Sequence, residues 1–155
     1  MLEVREVTKK YQQTVALDNV NITAQPGQIT VLLGPNGAGK STLMKSIIGV
    51  LRYSGHISVF GHPNKSPQAR SLYGYVPETP MLYDLLTVDE HLEFIARAYG
   101  IKSYYEYMNE FLDRFDLTAH RDKTAHEMSK GMRQKVSICC ALLPLPKMIL
   151  FDEPM

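Results

Sequence analysis

Residues 34–41 read Gly-Pro-Asn-Gly-Ala-Gly-Lys-Ser and lie between an apolar run and a helical pattern. No other feature constrains the fold as much. Gly34, Gly37 and Gly39 lack a Cβ, so the backbone there can take positive φ and turn its N–H groups toward one point. Lys40 adds a compact positive charge, and Ser41 a hydroxyl. The octapeptide matches G-x-x-x-x-G-K-[ST] in full, the pattern of a loop that cradles the phosphates of a nucleoside triphosphate while its serine faces Mg²⁺. Ile29-Thr30-Val31-Leu32-Leu33 reads as a buried strand entering the loop, and Ser41 to Ile48 as the helix leaving it. Such a position brings orphan N–H donors and the positive end of a helix dipole to the phosphates.

Composition removes several competing classes. The chain has 155 residues, enough for one domain with its own core, and a net charge of +1 gives no electrostatic footprint for nucleic acid. No apolar run approaches the roughly 20 residues of a membrane span. The segment Met1–Glu6 lacks the basic-then-apolar layout of a secretory signal. Cys139 and Cys140 are adjacent within a predicted helix and poorly placed to bridge one another, so they read as small buried residues of a reducing compartment.

The pattern along the chain is strands, then helices, then one more strand. Leu2, Val4 and Val7 predict an opening strand, Val20–Thr23 a second, and His56–Gly61 and Leu72–Val76 two more before Pro77. Thr87 and Glu90 have capping-box spacing, with Val88, Leu92, Ile95 and Tyr99 as the apolar stripe that Gly100 ends. Ser103 and Glu106 repeat that spacing ahead of Tyr104, Met108, Phe111 and Phe115, aromatics that read as helix–helix core. A third helix is expected from about Ser129 to Leu143, where Met132, Val136, Cys139 and Leu143 share a face. Met148–Phe151 is a short apolar strand that delivers Asp152 and Glu153 to the sheet end where open α/β folds bind ligands. Alone, two acids there read as solvated or lysine-paired. Beside a complete phosphate loop, Asp152 fits a Mg²⁺ ligand opposite Ser41, and Glu153 a base for the attacking water.

With these motifs in place the chain resembles the ATP-binding cassette (ABC) ATPases over essentially its whole length. Tyr11, ahead of Val15–Val20, resembles the aromatic that stacks on adenine, a contact worth about 1–3 kcal/mol per base. Gly74-Tyr75-Val76-Pro77-Glu78 occupies the place of the family's Q-loop, where a glutamine contacts Mg²⁺ or the attacking water and links the site to a membrane partner. Glu78 keeps an oxygen ligand there and adds negative charge. Tyr75–Glu78 through Leu86–Leu92 is especially similar to ATPase subunits of the ABC-2 type, mostly exporters. Met128-Ser129-Lys130-Gly131-Met132 lies where the family has Leu-Ser-Gly-Gly-Gln, keeping Ser129 and Gly131. In the family this turn clamps the γ-phosphate held by a second subunit. Lys130 fits two roles equally, neutralising phosphate or facing solvent. His120 and His126 read as surface residues at helix boundaries.

The resemblance implies an α/β P-loop NTPase core with an N-terminal antiparallel β subdomain and a helical insert at about 80–145. It implies ATP held by Tyr11, Gly34, Pro35, Asn36, Gly37, Ala38, Gly39, Lys40, Ser41 and Thr42, with Mg²⁺ on Ser41, Glu78 and Asp152. Lys40 and Glu153 are the implied catalytic pair, and Ser129, Lys130 and Gly131 the implied contacts to a partner subunit's ATP. The implied partners are a second ATPase subunit, as a homodimer, and an integral membrane permease at the inner face of the cell membrane. In the family a further strand enters the sheet between the loop strand and the Asp152 strand, followed by a switch histidine. Neither is found here, and no histidine follows Asp152. The chain is therefore expected to be an N-terminal fragment truncated just after the Asp152-Glu153 motif, at Met155, lacking the C-terminal part of the domain and exposing apolar surface. Two other readings stay open: a soluble ABC ATPase of translation or DNA repair, and a non-catalytic nucleotide-binding fragment.

Overall fold

The computed structural model describes residues 1–153, which form two compact units, Met1–Tyr73 and a second beginning at Gly74. In the first unit, β1 (Leu2–Tyr11) pairs antiparallel with β2 (Thr14–Ala24) and with β3 (Ser54–Val59). A two-residue strand, β4 (His62–Pro63), completes the order β2-β1-β3-β4. Leu2 and Val4 alternate inward as a half-buried strand requires, but the next buried residue is Val7. A bulge accounts for the slip. Val4 faces Ile22 and Val7 faces Val20, so β1 carries one extra residue, and Glu6 takes φ 51. Gly55, at φ 99, lies where any Cβ would collide with the Glu6 carbonyl, so β3 passes the bulge only as glycine.

The helix α1 (Lys40–Ile47) buries Leu43 and Ile47. Asn64, itself buried, donates its amide to the Ser46 and Ile47 carbonyls at 2.8 Å each, satisfying acceptors that a helix C-terminus leaves open. Tyr53 holds that amide from the other side, donating its hydroxyl to Asn64 Oδ1 at 2.6 Å.

The strand expected at Ile29–Leu33 does not form. The segment is irregular, with Ile29 95%, Val31 66% and Leu33 90% exposed. An apolar run becomes a strand only when its N–H and C=O groups enter a ladder, and among the described residues nothing pairs with it.

In the second unit, β5 (Tyr73–Val76) pairs with β6 (Met148–Phe151). The core is helical. It joins α3 (Val88–Ala98), α4 (Tyr105–Arg114) and α5 (Lys130–Leu142) through Leu92, Met108, Leu112, Val136, Cys139 and Leu143. A four-residue helix, α2 (Pro67–Arg70), ends the first unit's own elements. The Thr87–Glu90 capping box on α3 forms in both directions. The box expected from Ser103 and Glu106 does not: α4 starts one residue late, with Tyr104 at the cap and no side-chain cap bond. Tyr104 is only 7% exposed and stacks on Tyr105. Burying a large apolar body is worth about 1.5–3 kcal/mol against roughly 1 kcal/mol for a cap, so packing sets the helix start.

Candidate functional site

The loop before α1 has the conformation its glycines permit. Gly37 and Gly39 take φ 82 and 88, and the Ala38 N–H closes a turn on the Pro35 carbonyl at 3.1 Å. A Cβ on Gly39 would lie 2.5 Å from the Ala16 carbonyl oxygen, so a side chain is excluded both by φ and by β2. This cradle fits a phosphate group: Gly34 through Ala38 are exposed, and Gly39 through Thr42 are half-buried at the N-terminus of α1. Lys40 folds over the loop and donates to the Gly34 and Pro35 carbonyls at 2.8 and 3.1 Å. Its ammonium group is thus already held within the loop. Tyr11 ends β1, is 44% exposed, and has Lys9 Nζ 4.8 Å from its ring centroid. That cation covers one face of the ring.

The second unit carries the acidic candidates. Asp152 follows β6 and is buried at 5% exposure, with its N–H on the Val76 carbonyl at 3.0 Å. Tyr75 donates its hydroxyl to Asp152 Oδ2 at 3.1 Å. Burial first, then the charge and hydrogen bond of Asp152 and the charge of Glu78, push the Tyr75 hydroxyl up to about 12. The donor therefore keeps its proton throughout the physiological range. Glu78 and Glu153 are both exposed, and Glu153 takes φ 48, a left-handed conformation uncommon outside glycine. A Mg²⁺ ion bound chiefly by phosphate oxygens and water needs only one or two carboxylates, which suits a set without a dense ligand cluster.

The turn from Met128 to Met132 opens α5. Ser129 is the N-cap, its Oγ accepting from the Met132 N–H at 3.2 Å, and Met128 is buried beneath it. A Cβ on Gly131 would meet nothing closer than Ser129 Oγ at 4.0 Å. Glycine in a first turn costs roughly 0.5–1 kcal/mol and packing does not require it here, so the bare surface fits close approach from outside. Gln134, one turn on, points its Nε2 toward the Pro77 carbonyl at 3.5 Å, next to Glu78. Its Oε1 is buried and has no hydrogen-bond partner.

Three residues here had no role in the sequence reading: Tyr75, Gln134 and His91. Tyr75 carried a faint signal, a polar-tipped aromatic alternating with buried Gly74 and Val76 just before Glu78. His91 is buried. Its Nε2 accepts the Tyr83 N–H at 2.9 Å and its Nδ1 lies 2.7 Å from the Thr87 carbonyl, which selects the neutral tautomer protonated on Nδ1. His120 ends one short 3-10 turn and is half-buried, and His126 lies exposed in the middle of another.

A glycine cradle on a helix N-terminus, in a chain that also delivers an Asp-Glu pair from a strand end, defines a P-loop nucleotide-binding protein. The chain belongs to the ABC transporter family, whose family model matches residues 17–155. It is 40% identical over 159 residues to the ABC-type transporter ATP-binding protein EcsA of Bacillus subtilis, covering 99% of this chain and 64% of that protein. A solved ATP-binding subunit of an ABC transporter superposes with a TM-score of 0.92 at 38% identity, covering 99% of this chain and 66% of the other. The dimeric ATP-binding cassette MJ0796, solved in a post-hydrolysis state with ADP and Pi, matches with a TM-score of 0.85 at 26% identity, covering 100% of this chain and 75% of that one. The chain thus spans just under two thirds of EcsA and of the ATP-binding subunit.

Proposed function

We propose that this chain binds and hydrolyses ATP as part of the ATPase subunit of an ABC transporter, working as a dimer on a separate membrane permease. The observation that carries the reading is the loop itself, with positive-φ glycines, Lys40 folded within it and α1 starting beneath it. In this reading the Gly37 and Gly39 amides orient the phosphates, and Lys40 balances the charge that develops on them. Ser41, Asp152 and Glu78 would hold Mg²⁺, which would supply positive charge against the phosphates. Tyr75 holds Asp152 in one orientation. Glu153 takes the proton of the attacking water. Tyr11 stacks on adenine, and Ser129, Lys130 and Gly131 meet the ATP held by the second copy.

Residues 1–155 form one ABC ATPase domain in this reading, with the helical subdomain at about 80–145. Resemblance of the Glu78 segment to ABC-2 subunits supports an exporter. Among the described residues no helix is long and apolar enough to cross a membrane, which suits a subunit held at the inner face by its permease. Exposed Met81, Tyr83, Leu85 and Phe94 in the second unit offer that permease an apolar landing.

A second reading, nucleotide binding without turnover, draws on the exposed and unpaired Ile29–Leu33 segment that leads into the loop. One experiment separates the two. Phosphate release by the protein should fall about a hundredfold or more in Lys40→Ala, as expected when a group stabilising developing charge is removed. Turnover within about twofold of the parent would refute the loop assignment. A parent that binds ATP without releasing phosphate would favour the second reading.

A further inference from the structure

Helix α5 and strand β5 lie side by side in the second unit, and two contacts fix their alignment. A Cβ on Gly74 would sit 2.5 Å from the Ala141 carbonyl oxygen, so β5 meets α5 there backbone to backbone. At the other end Gln134 directs its Nε2 at the Pro77 carbonyl, 3.5 Å away. From Gln134 to Ala141 is seven residues, about 10.5 Å of helix. From Gly74 to Pro77 is three, about 10 Å of extended chain. The two lengths match, so the contacts brace an antiparallel helix and strand without slack.

The Gln134 contact bears on Glu78. The Pro77 ring fixes φ, and the peptide joining Pro77 to Glu78 is planar. One soft torsion, the ψ of Pro77, therefore sets the direction in which the chain leaves β5 for Glu78. The same torsion sets where the Pro77 carbonyl points, so an amide donor on that carbonyl holds it. Glu78 itself is exposed, and burial does not hold it.

This donor is kept at a cost. Gln134 is 8% exposed, its contact lies at the long limit of a hydrogen bond, and its Oε1 is buried with no partner. Turning the amide over would bring no relief, because its oxygen would then face the Pro77 carbonyl oxygen. An apolar side chain of similar length would fill the space and leave no orphaned acceptor. A polar group retained against packing in this way is expected where position matters to function.

Resting on the reading above, we infer that Gln134 is a positioning residue for ATP hydrolysis. From α5, one turn beyond Ser129 and Gly131, it fixes the Pro77 torsion and so sets the direction of Glu78.

The test measures thermal melting and phosphate release in Gln134→Met, which keeps the length and removes both the donor and the orphaned acceptor. The variant should melt at or above the parental temperature, yet its kcat should fall at least about tenfold, as expected for a misplaced group. The Mg²⁺ concentration for half-maximal activity should rise, while ATP affinity measured without Mg²⁺ should stay within about twofold of the parent. A merely structural Gln134 would instead lower melting temperature and activity together, and that outcome overturns the inference. Gln134→Glu keeps the shape and puts an acceptor in place of the donor, so it should lose turnover as well. A folded Gln134→Glu at the parental rate refutes the brace. Parental kcat and Mg²⁺ dependence in Gln134→Met overturn the inference and leave ATP hydrolysis standing. A parent that releases no phosphate overturns both.

Discussion

Tyr75 offers the sharpest test at the scale of one residue. Its hydroxyl is the donor on a nearly buried carboxylate, and burial keeps that hydroxyl protonated to about 12. Tyr75→Phe retains the ring and removes only the donor. A hydrogen bond to a charged group is worth about 1.5–3 kcal/mol, so in the proposed function an Asp152 without that donor should hold Mg²⁺ about tenfold less well. The Mg²⁺ concentration for half-maximal ATPase activity should rise by that factor, with the melting temperature little changed. An unchanged Mg²⁺ dependence would separate Tyr75 from the metal site. This contact was not legible in the sequence because its partners are far apart in the chain and meet only through the β5–β6 pairing. The loop residues were legible for the opposite reason: their chemistry is written in eight consecutive positions.

At the scale of elements, local signals succeeded where nothing larger competed. The α3 box formed as its spacing predicted, with Thr87 Oγ1 and Glu90 Oε2 each accepting from the other residue's backbone N–H. The same spacing failed on α4, where burial of Tyr104 outweighed a cap. Ile29–Leu33 failed as a strand because its apolar pattern records a need for a partner and cannot supply one. The working α3 box yields a pH prediction. Hydrogen bonds from the Thr87 backbone, then its side chain, hold the Glu90 carboxyl below its ordinary 4.5. A carboxyl depressed in the folded state adds stability above its unfolded value, and that stability is lost as pH falls through the folded value. The urea midpoint of Glu90→Gln should therefore lie below the parent's at pH 7, and the two should converge in acid below the ordinary carboxylate range. Thr87→Ala should cost about 1 kcal/mol at neutral pH. A gap between parent and Glu90→Gln that persists unchanged into strong acid would remove the ionised cap from the account.

For the whole molecule, the candidate machinery is divided between two compact units and, in the proposed function, between two copies of the chain. Ser129 and Gly131 lie at an open helix start, with room beside Gly131 that the fold itself does not use. In the proposed function this helix start meets the ATP held by another copy, so nucleotide and dimer should be linked. Removing the base while keeping the loop isolates that linkage. Glu153→Gln retains size and hydrogen-bonding capacity but cannot take the water's proton, so ATP should bind and remain intact. With ATP and Mg²⁺, light scattering after size exclusion should report a dimer for this variant. ADP should leave it monomeric, and the parent should accumulate dimer only briefly. Phosphate release by Glu153→Gln at the parental rate would take the base role from Glu153. A variant that binds ATP yet stays monomeric at saturation would take the partner-site role from Ser129 and Gly131.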